Sequence, residues 1–181
     1  MPTLPQDLRR QVARFDEAVE AKVDEWRGHP TLDRVMYAAS ALGDFSLIWH
    51  LLGSARSLAP DRRPVHAVRL AAIGGIESAL VNGPVKALFR RHRPSWDQDR
   101  PLKLRRPKSS SFPSGHATAA AVAVGVLGQR DPLWPVYAAV GAVVASSRVY
   151  VKIHHPSDVV AGAAVGAVLA AAARKLWPMP K

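Results

Sequence analysis

Ser147-Arg-Val-Tyr-Val-Lys-Ile-His-His-Pro-Ser-Asp158 joins two apolar segments, Leu133 to Val149 before it and Val159 to Ala173 after it, and its reading decides the fold. His-His-Pro-Ser-Asp is a turn entering a helix, with Pro156 at the first helical position, where the missing N–H is no loss. The stretch also carries Arg148, His154 and Asp158. Arginine grips phosphate oxygens in a fixed fork, an imidazole attacks phosphorus when one nitrogen is unprotonated, and a carboxylate on the other nitrogen fixes that tautomer. Those are the parts of a phosphoryl-transfer site, although the turn alone is an ordinary helix start.

Outward from it, small residues dominate. Gly141-x-x-x-Ala145 and Gly162-x-x-x-Gly166 have the spacing that lets helices approach closely where lipid removes the hydrophobic drive to associate. In a soluble helix such glycines would cost stability. Further apolar segments run over Val35 to Gly53, Ala67 to Leu88 and Ala117 to Gly128. Several are shorter than the roughly 20 residues of an ideal spanning helix. In the second, Gly83-Pro84 predicts a kink or a restart with Asn82 as cap. Glu77 and Asp44 lie inside apolar segments, so each is expected to face the bundle or a polar cavity, as a structural partner or as a substrate contact. With five crossings, Trp49, Trp134 and Trp177 fall near one membrane face and Trp26 and Trp96 near the other, as expected of interfacial indoles.

The chain has 181 residues, a net charge of +11 and 48% hydrophobic residues. Nucleic-acid binders of this charge are normally polar, so the pairing suggests a membrane body with basic loops. A mean hydropathy of −0.03 averages apolar segments with a charged N-terminal third and a basic central loop. Absence of cysteine excludes disulfides, thiolate metal sites and cysteine nucleophiles. Eighteen arginines against seven lysines resemble the coding bias of a GC-rich bacterium. Leu4, Leu8, Val12, Phe15, Val19, Val23 and Trp26 recur every three or four residues, predicting an amphipathic helix that lies on the membrane surface or packs on the bundle. No apolar run precedes a small-residue cleavage site, so no signal peptide is expected.

Two further motifs bear on chemistry. Lys86 and Arg93, seven positions apart and followed by Pro94, project within roughly 20° of each other on a helix and can grip one phosphate. Equally, they suit a basic helix end. Ser111-Phe-Pro-Ser-Gly-His-Ala-Thr118 opens an apolar segment, and a helix N-terminus with Gly115 allowing close approach is an anion site. There His116 can protonate a leaving oxygen while Ser114 and Gly115 hold phosphate.

In order, Lys-x6-Arg-Pro, Pro-Ser-Gly-His and Ser-Arg-x5-His-x3-Asp resemble the three-part signature of the type 2 phosphatidic acid phosphatase superfamily, which includes vanadium haloperoxidases and bacterial acid phosphatases. Every signature position is filled, at Lys86, Arg93, Pro94, Pro113, Ser114, Gly115, His116, Ser147, Arg148, His154 and Asp158. Thr31-Leu-Asp-Arg-Val-Met and Leu42-Gly-Asp44 extend the resemblance more weakly. It implies an all-α, integral membrane bundle of about five spans. One domain is expected over 1–181, with an N-terminal amphipathic helix (1–30) and a membrane core (31–177). It implies a phosphomonoesterase needing no metal or cofactor, in which His154 attacks phosphorus, Asp158 holds its other nitrogen, and His116 serves the leaving oxygen. Lys86, Arg93, Arg148, Ser114 and the Gly115 amide stabilise charge on the equatorial oxygens. His155 is no signature position and reads as structural or lining.

Five spans put the site and the N-terminus on one side. Of the Lys and Arg residues, 17 fall there against 8 elsewhere, and 14 against 8 without Lys86, Arg93 and Arg148. The positive-inside rule then predicts a cytoplasmic site in a bacterial inner membrane. The basic loop Arg100 to Lys108 either draws anionic headgroups or merely obeys that rule. A cytoplasmic site favours lipid intermediates made inside the cell, phosphatidylglycerophosphate or a polyprenyl-phosphoryl-phosphoribose, over an outward-facing undecaprenyl pyrophosphate. Small size and arginine-rich composition resemble the phosphoribose kind. The expected partners are a lipid phosphate and the bilayer, not nucleic acid. The rival, a basic membrane or nucleic-acid-binding protein, gives no reason for the spacing of His116, His154 and Asp158.

Overall fold

The computed structural model describes residues 5–59, 64–96 and 100–179, and their regular structure is helical throughout. Leu4 and the loop residues Pro60, Asp61, Arg62 and Arg63 lie outside the described residues. The helices are α1 (Gln6–Asp24), α2 (Pro30–Gly43), α3 (Leu47–Ser57), α4 (Val65–Leu80), the single turn α5 (Lys86–Leu88), α6 (Gly115–Leu127), α7 (Trp134–Tyr150) and α8 (Pro156–Leu176). A proline stands in the first turn of α2, α7 and α8, where it is pre-set for helix, and the Ser114 side chain caps α6.

Two of the expected spans are broken. Val35 to Gly53 is not one helix, because Phe45 and Ser46 take left-handed backbone angles (φ 53° and 59°) between α2 and α3. Between α4 and α5 the chain makes a π-helical turn over Val81–Val85, with Gly83 out of the helical region and Pro84 inside. Proline has no N–H for the α ladder, and the wider turn absorbs the misfit. Asn82 does not cap a restarted helix; its side chain donates to Ser78 Oγ (3.2 Å) and accepts from Lys86 Nζ (2.9 Å).

Helix α6 runs through the centre, against α8, α7 and α4. The core gathers Trp49, Leu70, Val122, Val126, Leu127 and Val144 around it. On its α8 side the backbones nearly touch. A Cβ on Gly162 would meet Ser114 O at 2.5 Å, and one on Gly166 would meet Thr118 O at 2.4 Å. The small-residue spacing of α8 therefore serves close helix contact.

Pro30–Ser57, taken across its break, and α8 are long and apolar enough to cross a membrane, with mean hydropathies of 1.3 and 1.6. Only 17% of the apolar window of α8 is buried, whereas a soluble core helix is mostly enclosed. Leu51, Val68, Ile76, Val160 and Val168 are likewise exposed, as lipid-facing residues would be. The helix order is consistent with about five spans, and the fold is an all-α membrane bundle. Trp26, Trp134 and Trp177 are exposed in keeping with an interfacial place, but Trp49 is not interfacial: it is 1% exposed, in the core.

The N-terminal helix docks through a mixed face, with Val12, Val19 and Val23 half-buried and Val23 packed against the cluster of Tyr37 and Tyr150. Asp16 is buried, while Leu8, Phe15 and Trp26 of the apolar stripe are exposed. Asp16, Glu20, Asp24 and Arg27, one helical face, grip the α7–α8 junction. Arg27 donates to Tyr150 O (2.7 Å) and Val149 O (2.8 Å), Asp24 pairs with Lys152 (3.2 Å), Glu20 with His155 (3.0 Å), and Asp16 accepts from Ser157 N (2.7 Å).

Candidate active site

The α7–α8 connection holds His154, 2% exposed. Its backbone N–H bonds Arg148 O (3.1 Å), which folds the connection back on the end of α7. Arg93 Nη1 lies 3.2 Å from His154 Nε2. A guanidinium only donates, so Nε2 is the unprotonated nitrogen and the ring proton sits on Nδ1. Nδ1 faces Asp158 Oδ2 at 3.6 Å, an electrostatic contact longer than a hydrogen bond. Burial is the main cause that holds His154 far below the usual imidazole range, at about 3, with Arg148 and Arg93 acting the same way and Asp158 opposing them. The ring is therefore neutral at neutral pH, with its Nε2 lone pair accepting from Arg93.

Asp158 is fully buried and stands in the first turn of α8. Its Oδ2 accepts the His155 N–H (3.0 Å), and its Oδ1 accepts from Arg91 Nη1 (2.7 Å). Arg91 reaches Asp16 through Nη2 (2.6 Å) and Ser157 Oγ through Nη1 (2.8 Å). His155 is thus structural, its Nδ1 tied to Glu20.

His116, in the first turn of α6, has its Nε2 3.1 Å from Ser40 O and 3.3 Å from Asp44 Oδ1. Two acceptors on one nitrogen require Nε2–H, which leaves Nδ1 as the unprotonated nitrogen of the neutral ring. Asp44 owes its place to the α2–α3 break. Gly43 is required there, since a Cβ would come within 2.4 Å of His116 Cδ2.

Lys86, Gly115, His116, Arg148 and His154 line one cavity of about 530 Å³. Arg148 is 1% exposed; Nη1 contacts Ser40 Oγ, whereas Nε and Nη2 have no partner among the described residues. A phosphate would supply acceptors for both. Lys86 Nζ lies 3.7 Å from where a Gly115 Cβ would stand, beside the α6 N-terminus. Arg105 of the basic loop also lines the cavity, its guanidinium 4.5 Å from the ring of Phe45. Arg93 and Asp158 are not in the cavity wall; they touch His154. Arg93 also donates to Ser109 O, Ser110 O and Ile153 O. Ser114 is fully buried behind the wall, with its Oγ accepting the Ala117 N–H (3.5 Å). Sequence reasoning missed Arg91, Asp16 and Ser40, which act through long-range contacts, and left Asp44 undecided.

The PAP2 superfamily model matches residues 66–180. The chain belongs to the PAP2 superfamily. Among PAP2 relatives, decaprenylphosphoryl-5-phosphoribose phosphatase of Mycolicibacterium smegmatis is 35% identical over 137 residues, 75% of this chain and 73% of that one. The Mycobacterium tuberculosis protein of the same name (strain CDC 1551 / Oshkosh) is 31% identical over 135 residues, 73% of each. The fold is that of the Bacillus subtilis transmembrane PAP2 type phosphatidylglycerolphosphate phosphatase (TM-score 0.69, 24% identity, 92% of this chain and 86% of that one). Aquifex aeolicus LpxE is as similar (TM-score 0.69, 24% identity, 87% and 93%). With these relatives the chain is a membrane phosphatase of the PAP2 superfamily.

Proposed function

We propose that this chain hydrolyses the phosphomonoester of a polyprenyl-phosphoryl-phosphoribose through a phosphohistidine on His154. The observation that carries the mechanism is the Arg93 N–H on Nε2, which leaves that nitrogen with the lone pair and the proton on the side of Asp158. The two mycobacterial relatives support the substrate.

In the first step Nε2 attacks phosphorus, and the ester oxygen leaves with the proton of the His116 imidazolium. Asp44 stabilises that imidazolium. Nδ1–H of His154 turns fully to Asp158 as the ring becomes cationic. In the second step neutral His116 takes a proton from water, whose oxygen attacks phosphorus; the P–N bond breaks and inorganic phosphate leaves. Arg148, Lys86 and the Gly115 amide hold the equatorial oxygens, and Arg93 exchanges Nε2 for phosphate. Ser114 acts by holding the α6 start. No metal or cofactor enters either step.

One domain carries the reaction, α1 included, and its site faces the cytoplasm across a bacterial inner membrane. Charge supports this orientation. Without Lys86, Arg93 and Arg148, 14 Lys and Arg residues still fall on the site side against 8 elsewhere.

Purified protein in detergent, with chelator present, is expected to release phosphate from polyprenyl-phosphoryl-phosphoribose with a higher kcat/KM than from phosphatidylglycerophosphate or undecaprenyl pyrophosphate. Quenched turnover should trap phosphate on the protein, and His154→Ala should abolish both signals. A metal requirement would overturn the mechanism, and a reversed ranking the substrate.

A further inference from the structure

The cavity lining includes residues that neither proposed step uses. Its lining includes the polar residues Glu77, Ser78 and Asn82, which precede Lys86 in the chain, together with the apolar Trp49, Leu70 and Val122. Polar residues in the middle of a membrane helix are costly and turn toward a cavity or a partner. Ser78 and Asn82 bond each other, and Asn82 bonds Lys86. Glu77 differs. It is 3% exposed, it lines the cavity, and its Oε1 has no hydrogen-bond partner among the described residues. Neither proposed step employs it. One turn deeper, added methyls on Gly74 and Gly75 would meet nothing within 4 Å, so the space beside the carboxyl is open.

We infer that Glu77, with Ser78 and Asn82, forms a subsite for the hydroxyl-bearing part of the substrate, a sugar or polyol that carries the scissile phosphate. Resting on the phosphatase reading above, this deepens it by assigning the residues that select the headgroup. Charge decides between hydroxyls and an amine. Lys86, Arg105 and Arg148 line the same cavity, and the other carboxylate there, Asp44, is engaged with His116, so an ammonium headgroup would meet net repulsion. A neutral hydroxyl donates to the Glu77 oxygen and accepts from the Asn82 amide without that cost. Phosphate at Arg148 and Lys86 then leaves the polyol against α4. A site built to bond a hydroxyl rejects the analogue lacking it far more strongly than an apolar pocket rejects an extra one.

The test compares kcat/KM for a polyprenyl-phosphoryl-phosphoribose with that for a long-chain alkyl monophosphate, in wild type, Glu77→Gln and Glu77→Leu. Wild type is expected to favour the hydroxylated substrate, and the ratio should fall at least about tenfold in Glu77→Leu and less in Glu77→Gln. Thermal shifts with ribose 5-phosphate against inorganic phosphate give a second measure, independent of turnover. Ribose 5-phosphate should protect wild type at lower concentration, and Glu77→Leu should lose that advantage while Glu77→Gln keeps part of it. An unchanged ratio, or equal protection by the two ligands in wild type, would overturn the subsite. If no lipid phosphate is hydrolysed at all, the enzymatic reading fails, and the binding comparison still decides whether Glu77 recognises hydroxyls.

Discussion

At the scale of single residues, the behaviour of His154 follows from desolvation. Its folded value of about 3 lies below the unfolded value of 6.5, so between those limits the unfolded chain binds a proton that the native ring does not. Stability from this group is therefore complete above pH 6.5 and is lost as pH falls toward 3. The thermal midpoint of wild type in detergent should fall more steeply from pH 7 to 4 than that of His154→Asn; parallel curves would show that burial does not hold the ring neutral. The spacing of Arg148, His154 and Asp158 is plain in the sequence. Which nitrogen carries the proton was not, because Arg93 lies 61 positions away and reaches Nε2 only through the fold.

At the scale of elements, the N-terminal helix packs on the bundle, one of the two places its periodicity allows, and much of that contact is polar. Of the stripe from Leu4 to Trp26, Leu8, Phe15 and Trp26 are exposed, while Val12, Val19 and Val23 are half-buried beside the docked Asp16, Glu20 and Arg27. Lipid can cover the exposed part of such a stripe, and the buried polar contacts fix how the helix seats. Asp16 thereby becomes a positioning residue, holding Arg91, which holds Asp158. Asp16→Asn is expected to lower kcat roughly tenfold, about 1.4 kcal/mol in the barrier, with a smaller change in KM. Combined with Arg91→Ala its effect should be non-additive. Additive losses, or a change confined to thermal stability, would reduce α1 to a cover. The break between α2 and α3 is a second case. Gly43-Asp44 hints at it, but left-handed Phe45 and Ser46 do not, since neither residue favours that conformation. The bundle imposes it, and in doing so brings Asp44 and Ser40 to His116.

Over the whole molecule, the site depends on how closely α6 and α8 approach, because Ser114 to His116 open one and Pro156 to Asp158 open the other. Gly166→Ala pushes a methyl to 2.4 Å from Thr118 O, a backbone atom that cannot step aside alone. The two helices must part, and the thermal midpoint should drop by the equivalent of about 1–3 kcal/mol. No drop would mean that the α6–α8 contact accommodates a methyl at this position. Orientation is tested at the same scale. The chain has no cysteine, so Lys103→Cys in the exposed basic loop is its single thiol. In spheroplasts an impermeant maleimide should leave it unlabelled until lysis; labelling before lysis would put the site outside.

The sequence by itself determined the helical class, the membrane setting and the family, since apolar length, small-residue spacing and the order of Lys86, Arg93, His116, Arg148, His154 and Asp158 are local patterns that survive in one dimension. Only the tertiary structure decided that Arg93 touches His154, that Asp44 contacts His116, that Ser114 caps a helix, and that Asp16 reaches Asp158 through Arg91. These are contacts between residues tens of positions apart. Their chemistry depends on distances of about 3 Å, which are set by the packing of α6 against α8 and α7 and not by any property of the residues in line.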